Sequence, residues 1–122
     1  MIIWIASYPK SGNTWLRSLI ASYFFTNDGI FNFDLLKNIE QFAPKIPKSI
    51  LLEKTHYQSK VSKSWISTQK EINIDKKIRI FKTHNAMCAI NGNNFTDKYN
   101  TCGVIYIARD PRNIITSISN HY

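Results

Sequence analysis

Three short polar segments of this sequence each follow an apolar run, and each holds side chains that can bind an anion or move a proton. Pro9-Lys10-Ser11-Gly12-Asn13-Thr14-Trp15 follows the first run, Lys82-Thr83-His84 ends the second, and Arg109-Asp110-Pro111-Arg112 follows the third. In open parallel sheets, ligands bind beyond the carboxyl ends of the strands. We therefore expect the three segments to meet in one crevice.

The first segment has the composition of an anion-binding loop. Gly12 lets the backbone approach a ligand closely, and Lys10 supplies a compact positive charge. Ser11 and Thr14 add hydroxyl donors, and the helix that follows adds the partial positive charge of its N-terminus. The loop departs from the usual P-loop pattern because Lys10 precedes its single glycine. An ordinary strand-to-helix turn, capped by Asn13 or Thr14, is the plainer alternative.

The second and third segments contribute a histidine and an arginine. His84 and Arg109 each lie at the carboxyl end of a predicted strand, so both would face the same crevice as Lys10. Ser117 follows Arg109 by about two turns of a predicted helix. The plainer alternatives are a structural histidine, a surface salt bridge and a neutral mid-helix serine. His56 and His121 have no comparable setting, and we treat them as surface or supporting residues.

Together the three segments resemble the nucleotide-binding motifs of the sulfotransferases that use 3′-phosphoadenosine-5′-phosphosulfate (PAPS). Residues 9–15 are similar to the 5′-phosphosulfate loop of that family, residues 82–84 to the strand end that carries its general base, and residues 105–117 to its 3′-phosphate motif. The resemblance implies catalytic roles for His84, Lys10 and Lys82. The cofactor contacts that it implies are Lys10, Ser11, Gly12, Asn13, Thr14, Trp15, Arg109 and Ser117.

The resemblance also implies what the site would bind. PAPS would be the co-substrate, with no metal, and the ring of Trp15 would stack on the adenine, although a core position is the default for a tryptophan. Asn13 stands where many members of the family have threonine. The Gly-rich segment that completes the 3′-phosphate site in the family has no counterpart in this sequence, and residues 26–76 match none of its motifs.

The elements that must position these residues alternate between strands and helices. Residues 2–6, 78–82 and 103–108 are short apolar runs typical of buried strands. Helical spacing follows at 14–24 and again from Pro111 to the end of the sequence. This pattern predicts an α/β fold like that of the P-loop NTPases, with three layers and a parallel sheet. Because the last helix has no stop signal, we expect residues 1–122 to be the N-terminal part of a single, incomplete sulfotransferase-type domain.

The region between the first two strands predicts a long parallel crossover with additional helices. Helical spacing covers residues 33–42, and shorter helices are predicted at 49–56 and 62–72. Pro44 and Pro47 interrupt this region. A turn is predicted at residues 91–94, from their asparagine and glycine content.

Charge and cysteine content restrict the partners and the compartment. The formal net charge is +8, which suits anionic ligands. The sequence contains no run of five or six like charges, so we do not expect nucleic acid as a partner. Cys88 and Cys102 match no metal or redox motif and read as two reduced thiols. With no signal peptide and no membrane span evident in the sequence, we expect a cytoplasmic protein.

The function implied by the resemblance is transfer of a sulfuryl group from PAPS to a hydroxyl or amine of a small-molecule or glycan acceptor. Two alternatives remain open. One is a P-loop nucleotide kinase or hydrolase, in which residues 104–110 imitate a Walker B strand; the position of Lys10, and of Arg109 before Asp110, argues against it. The other is a non-catalytic module that binds a nucleotide or another anion.

Overall fold

A parallel sheet of three strands organises the structure, a computed structural model that describes residues 1–45 and 57–120. In chain order the elements are β1 (Ile2–Ser7), α1 (Asn13–Phe25), a 3₁₀ helix (Phe33–Asn38), α2 (Tyr57–Lys63), α3 (Trp65–Ile72), β2 (Arg79–Thr83), β3 (Ala89–Ile90), β4 (Asn93–Asn94), β5 (Thr101–Ile107) and α4 (Pro111–Ser119). The sheet order is β2-β1-β5, and both strand pairs are parallel. The predicted α/β class with a parallel sheet is confirmed.

Strand β1 is the centre of the core because apolar side chains cover both of its faces. On one face, Ile2 and Trp4 pack with the aromatic side chains of Phe42, Trp65 and Phe95. The Trp4 ring lies 5.2 Å from the Phe42 ring and 5.1 Å from the Phe95 ring, measured between centroids. A strand that is buried on both faces reads as a continuous apolar run, as residues 2–6 do.

The other face of the sheet is covered by α1. Ile5 packs there with Ala21 and Ile39, and partly buried side chains of α1 such as Leu16 and Ile20 extend the cluster. The sheet therefore lies between two layers, and α1 is held directly behind the loop that precedes it. This packing fixes the direction in which the N-terminus of α1 points.

The prediction of one helix over residues 33–42 is wrong in its second half. A 3₁₀ helix ends at Asn38, and Gln41 instead forms a parallel bridge with Lys82. The backbone N–H of Lys82 donates to the Glu40 carbonyl, and that of Phe42 donates to the Lys82 carbonyl, each at 2.9 Å. Pairing with β2 therefore replaces the helical hydrogen bonds of this segment.

Three other predicted elements can be compared with the structure. The helix predicted at 62–72 is divided at Ser64, which separates α2 from α3. The turn at 91–94 is confirmed as the β3–β4 connection, with positive φ at Asn91 and Gly92 as type I′ hairpins require. The helix predicted at 49–56 lies outside the described residues, as do His56 and His121.

No helix in the described ranges is long and apolar enough to cross a membrane. Strand β5 is paired with β1 alone among the described strands, so its outer edge is open. Val104, Ile105 and Tyr106 are correspondingly exposed. The strand predicted most clearly from the sequence is thus an edge strand with exposed apolar side chains.

Candidate anion-binding and catalytic site

The carboxyl ends of the three parallel strands meet at one edge of the sheet. Ala6 lies opposite Thr83, and Ser7 lies opposite Ile107, so the three polar segments leave the sheet at the same level. A groove of about 420 Å³ lies there. Its lining consists of Pro9, Lys10, Gly12, Asn13, Thr14, Trp15, Lys82, His84, Arg109 and Ser117. The structure thus brings together every predicted site residue except Ser11, which is buried beside the groove.

The loop between β1 and α1 is held by two residues in the left-handed backbone region. Lys10 has φ of 65° and Gly12 has φ of 100°. Gly12 is the N-cap of α1, and no side chain in the described part of the chain accepts a hydrogen bond at this helix end, so neither Asn13 nor Thr14 caps it as the plainer alternative requires. The first N–H groups of a helix have no partner within it. Those of α1 are therefore available to an anion.

Asn13 is directed back into the protein rather than serving as a helix cap. Its side chain is 5% exposed. The Asn13 Nδ2 donates to the Ile5 carbonyl at 3.2 Å and to Ser7 Oγ at 3.0 Å. The first residue of α1 is thereby tied to the carboxyl end of β1.

His84 is half-buried, and its ring is fixed by the same strand end. The His84 Nδ1 lies 2.7 Å from the Ser7 carbonyl oxygen and 3.4 Å from Ser7 Oγ. A carbonyl oxygen only accepts hydrogen bonds, so Nδ1 carries the proton. In the neutral ring, Nε2 is then the unprotonated nitrogen. Among the described residues no partner occupies Nε2, which leaves it able to accept a proton.

Lys82 is a half-buried cation next to a second one. Burial lowers the pKa of the Lys82 ammonium, and the charge of Arg17 lowers it further. Arg17 itself donates to the carbonyls of Leu36 and Ile39. Burial also lowers the pKa of the Arg17 guanidinium. The two cations keep this side of the groove positive.

Arg109 connects the third segment to the first. Its Nη1 donates to the Lys10 carbonyl at 3.0 Å. Its predicted alternative, a surface salt bridge, is not found, because the ion pairs of the described residues do not include Arg109. Ser117 lies on α4 and lines the same groove. Because β2 and β5 lie on opposite sides of β1, Arg109 and Ser117 line the groove on the side away from His84 and Lys82.

The Asp110 carboxylate binds the first residues of α4, the helix that it caps. Its Oδ1 accepts a hydrogen bond from the Arg112 N–H at 2.9 Å, as an N-cap residue does. The Arg112 guanidinium beside Asp110 holds the pKa of that carboxyl below its usual range. An aspartate engaged in this way is poorly placed for the metal-binding role of a Walker B residue.

Trp15 is not a core residue, since its side chain is 70% exposed and lines the groove.

Two further residues matter to the site and have no motif that points to them. In the sequence, Ser7 reads as the first residue of the loop after the apolar run, and Arg17 as one basic residue of a helix. Ser7 is identified as part of the site only by its contact with the His84 ring. Arg17 is identified only by its charge next to Lys82 and its hydrogen bonds to nearby carbonyls.

Comparison with known proteins gives one result for nearly the whole chain. A protein-family model described as a sulfotransferase domain matches residues 2–122. Neither a search of curated proteins nor a search of solved structures found a match.

Proposed function

The chain belongs to the sulfotransferase domain family, and we propose that its groove binds PAPS for sulfuryl transfer with His84 as the proton acceptor. The observation that carries this proposal is the convergence of Lys10, His84 and Arg109 on one groove at the carboxyl edge of the sheet. Each comes from a different strand end. Their separation in sequence makes a shared structural purpose, such as capping one helix, a poor explanation.

The cations that line the groove suit a ligand with more than one anionic group. Lys10, Lys82 and Arg109 line it, and none of them takes part in an ion pair with a carboxylate of the described residues. Uncompensated cations that converge on a groove favour an anion, and the open N-terminus of α1 adds backbone donors to it. A nucleotide with phosphate groups at both ends of its ribose matches this distribution.

We assign the two ends of the nucleotide to different residues of the groove. The loop N–H groups, Lys10 and Thr14 would hold the 5′-phosphosulfate. Arg109 and Ser117 would hold the 3′-phosphate, because the guanidinium suits bidentate contact with a phosphate. The exposed ring of Trp15 would stack on the adenine.

The mechanism follows from the groups that face the groove. PAPS, when bound, supplies the activated sulfuryl group. His84 holds its Nδ1 proton on the Ser7 carbonyl and takes the proton of the acceptor hydroxyl or amine at Nε2, a role that contributes roughly 10²–10⁴-fold in rate. Lys10 and Lys82 would stabilise the negative charge left on the 5′-phosphate when the sulfuryl group passes to the acceptor and adenosine 3′,5′-bisphosphate leaves.

The acceptor is proposed to be a small molecule or a glycan that carries the hydroxyl or amine. Thr83 and Asn85, on either side of His84, line a second cavity of about 130 Å³. Met87 and Phe95 give this cavity an apolar wall. The cavity supports an acceptor with a small apolar group next to its reactive atom.

We also propose a cytoplasmic location. Cys88 and Cys102 are both free and exposed. Exposed thiols persist unpaired in a reducing compartment, whereas an oxidising one favours their pairing.

Ligand selectivity separates this proposal from the kinase and from a general anion-binding module. Trp4 and Trp65 are buried and Trp15 is exposed, so a ligand in the groove should change the fluorescence of Trp15 alone. We expect adenosine 3′,5′-bisphosphate to change the fluorescence at a lower concentration than Mg²⁺-ATP, and Trp15→Phe to remove the change. Lys37→Ala, at an exposed lysine of the 3₁₀ helix, is the control and should bind normally.

Two results would contradict the proposed ligand. Tighter binding of Mg²⁺-ATP than of the bisphosphate would favour the kinase. A response to an oligonucleotide without any response to the bisphosphate would favour a nucleic-acid module.

A further inference from the structure

We propose that Asn13 is a positioning residue for His84, acting through the carboxyl end of β1. The inference rests on the proposed function, because it concerns the group that would accept the proton there. It extends that function to a side chain that holds neither the nucleotide nor the acceptor. The contacts run from Asn13 to Ile5 and Ser7, and from Ser7 to His84.

The orientation of the Asn13 amide follows from its partners. The Ile5 carbonyl only accepts hydrogen bonds, so the atom that lies 3.2 Å from it must be the NH₂ group. The same NH₂ group donates to Ser7 Oγ at 3.0 Å. An asparagine amide has two N–H donors and so serves both acceptors at once, whereas a threonine hydroxyl has only one. Asn13 therefore fixes both Ile5 and Ser7.

Ser7 passes this restraint to the histidine ring. Its carbonyl accepts from His84 Nδ1 at 2.7 Å, and its Oγ lies 3.4 Å from the same nitrogen. Both Asn13 and Ser7 are buried, so water does not replace these contacts readily. If the Ser7 peptide turned, Nδ1 would lose its acceptor and the ring would lose its preference for the tautomer with a free Nε2.

The position of Asn13 in the chain links two parts of the site. It is the first residue of α1, so its backbone belongs to the loop that would bind the 5′ end of the nucleotide. Its side chain belongs to the strand end that orients the base. A shift of the loop is thereby transmitted to His84 through one side chain.

The tautomer of His84 is the direct readout. We would label the histidines of the full 122-residue chain with ¹⁵N and record the ring nitrogen signals at pH about 8.5, above the usual histidine pKa of about 6.5. Loss of the His84 signals in His84→Gln assigns them among the three histidines. Lys10, Lys82 and Arg109 are the charged groups that line the groove with His84, and they are the same in every variant compared.

We expect the wild-type chain to hold its proton on Nδ1. In Asn13→Ala, the ratio of the tautomers should change by about fivefold towards Nε2–H, the size of effect expected for one net hydrogen bond. The matched control is Asn73→Ala. Asn73 donates to the carbonyl and to the side-chain oxygen of Asn100, the same pattern at the opposite edge of the sheet, and this variant should leave His84 unchanged.

Unchanged His84 signals in a folded Asn13→Ala chain would overturn the inference. Should that variant not fold, Asn13→Thr keeps one of the two donors. It should show an intermediate ratio, and a wild-type ratio there would equally overturn the inference.

Calorimetry with adenosine 3′,5′-bisphosphate on the same samples separates the two proposals. Bisphosphate binding with an unaltered tautomer in Asn13→Ala would remove only the role of Asn13. The opposite result is a tautomer that changes in Asn13→Ala while neither the wild type nor the variant binds bisphosphate. That result would remove the proposed function and leave Asn13 as the residue that positions His84.

Discussion

At the scale of single residues, the site holds cations that no carboxylate of residues 1–45 and 57–120 pairs with. Lys82 is the clearest example, because burial and the charge of Arg17 both lower the pKa of its ammonium. A lowered pKa means that the folded state binds the proton less well than the unfolded state does. The charged lysine therefore destabilises the fold, and the effect is complete below the folded pKa and disappears as the pH rises towards about 10.4.

Replacement of Lys82 should consequently raise stability while it weakens ligand binding. We expect Lys82→Met to raise the Tm at pH 7 by about 2–3 °C, because methionine keeps the apolar stem and removes the buried charge. The gain should narrow at alkaline pH, where the wild-type lysine loses its proton. Differential scanning calorimetry from pH 7 to 10 measures both effects.

A second lysine provides the comparison for this variant. Lys70 is exposed on α3, away from the groove, and Lys70→Met should leave the Tm within about 1 °C. A lower Tm in Lys82→Met than in the wild type would show that Lys82 stabilises the fold, contrary to our interpretation.

At the scale of elements, the start of β2 is held by a local ion pair. The Arg79 guanidinium donates to both carboxylate oxygens of Asp75, at 2.7 and 2.6 Å, and to the Ile72 carbonyl at 2.9 Å. These contacts connect the end of α3 to the first residue of the strand that leads to Lys82 and His84. The hydrogen bonds from Arg79 and from the Lys77 N–H hold the pKa of the Asp75 carboxyl well below its usual range.

The pair should make stability depend on pH in the acid range. Because the folded pKa of Asp75 is lowered, its contribution is complete above the unfolded pKa of about 3.9 and is lost as the pH falls through the folded pKa. Asp75→Asn should therefore have a lower Tm than the wild type at pH 7, and the difference should shrink below about pH 4. Thermal unfolding followed by circular dichroism from pH 2 to 7 tests this.

The exposed pair of Asp34 and Lys37 is the matched control for Asp75. Asp34 makes a single contact with Lys37 and is more exposed than Asp75, whose carboxylate is bound at both oxygens, so Asp34→Asn should change the Tm much less at neutral pH. Equal losses in the two variants would mean that the start of β2 is not specially held.

The elements and the strand ends were predictable because apolar runs and the polar segments after them are local patterns. Lys10, His84 and Arg109 could be placed at one edge of the sheet from their positions in the sequence alone, since parallel strands share their carboxyl edge. The direction of the Asn13 side chain was not predictable, because its acceptors are carbonyl and hydroxyl groups of another element. The end of the 3₁₀ helix at Asn38 was not predictable either, since pairing between residue 41 and Lys82 decides it.

At the scale of the whole molecule, the open edge of β5 is the most exposed apolar feature of the sheet. The Tyr106 side chain is 71% exposed on a strand that has no described partner on its outer side. Unpaired strand edges of this kind promote association, and a lysine on the edge opposes it. The net charge of +8 opposes association as well, most strongly at low salt.

We therefore expect the 122-residue chain to self-associate at high concentration and high salt, and Tyr106→Lys to reduce the associated fraction severalfold. Light scattering coupled to size-exclusion chromatography measures it. Tyr99→Lys adds the same charge at a tyrosine that is 76% exposed but lies outside the strands. If both variants reduced association equally, charge alone would account for the effect and the β5 edge would have no special part.

The central claim is that one groove holds both phosphate ends of a nucleotide, with the 3′-phosphate on Arg109. Isothermal titration calorimetry with adenosine 3′,5′-bisphosphate and adenosine 5′-phosphate, on the wild-type chain and on Arg109→Ala, tests it most directly. The account predicts that the wild type prefers the bisphosphate by about 10- to 100-fold, as expected for charge-assisted hydrogen bonds, and that Arg109→Ala loses most of this preference. Equal binding of the two nucleotides by the wild type, or a preference that survives the loss of Arg109, would contradict it.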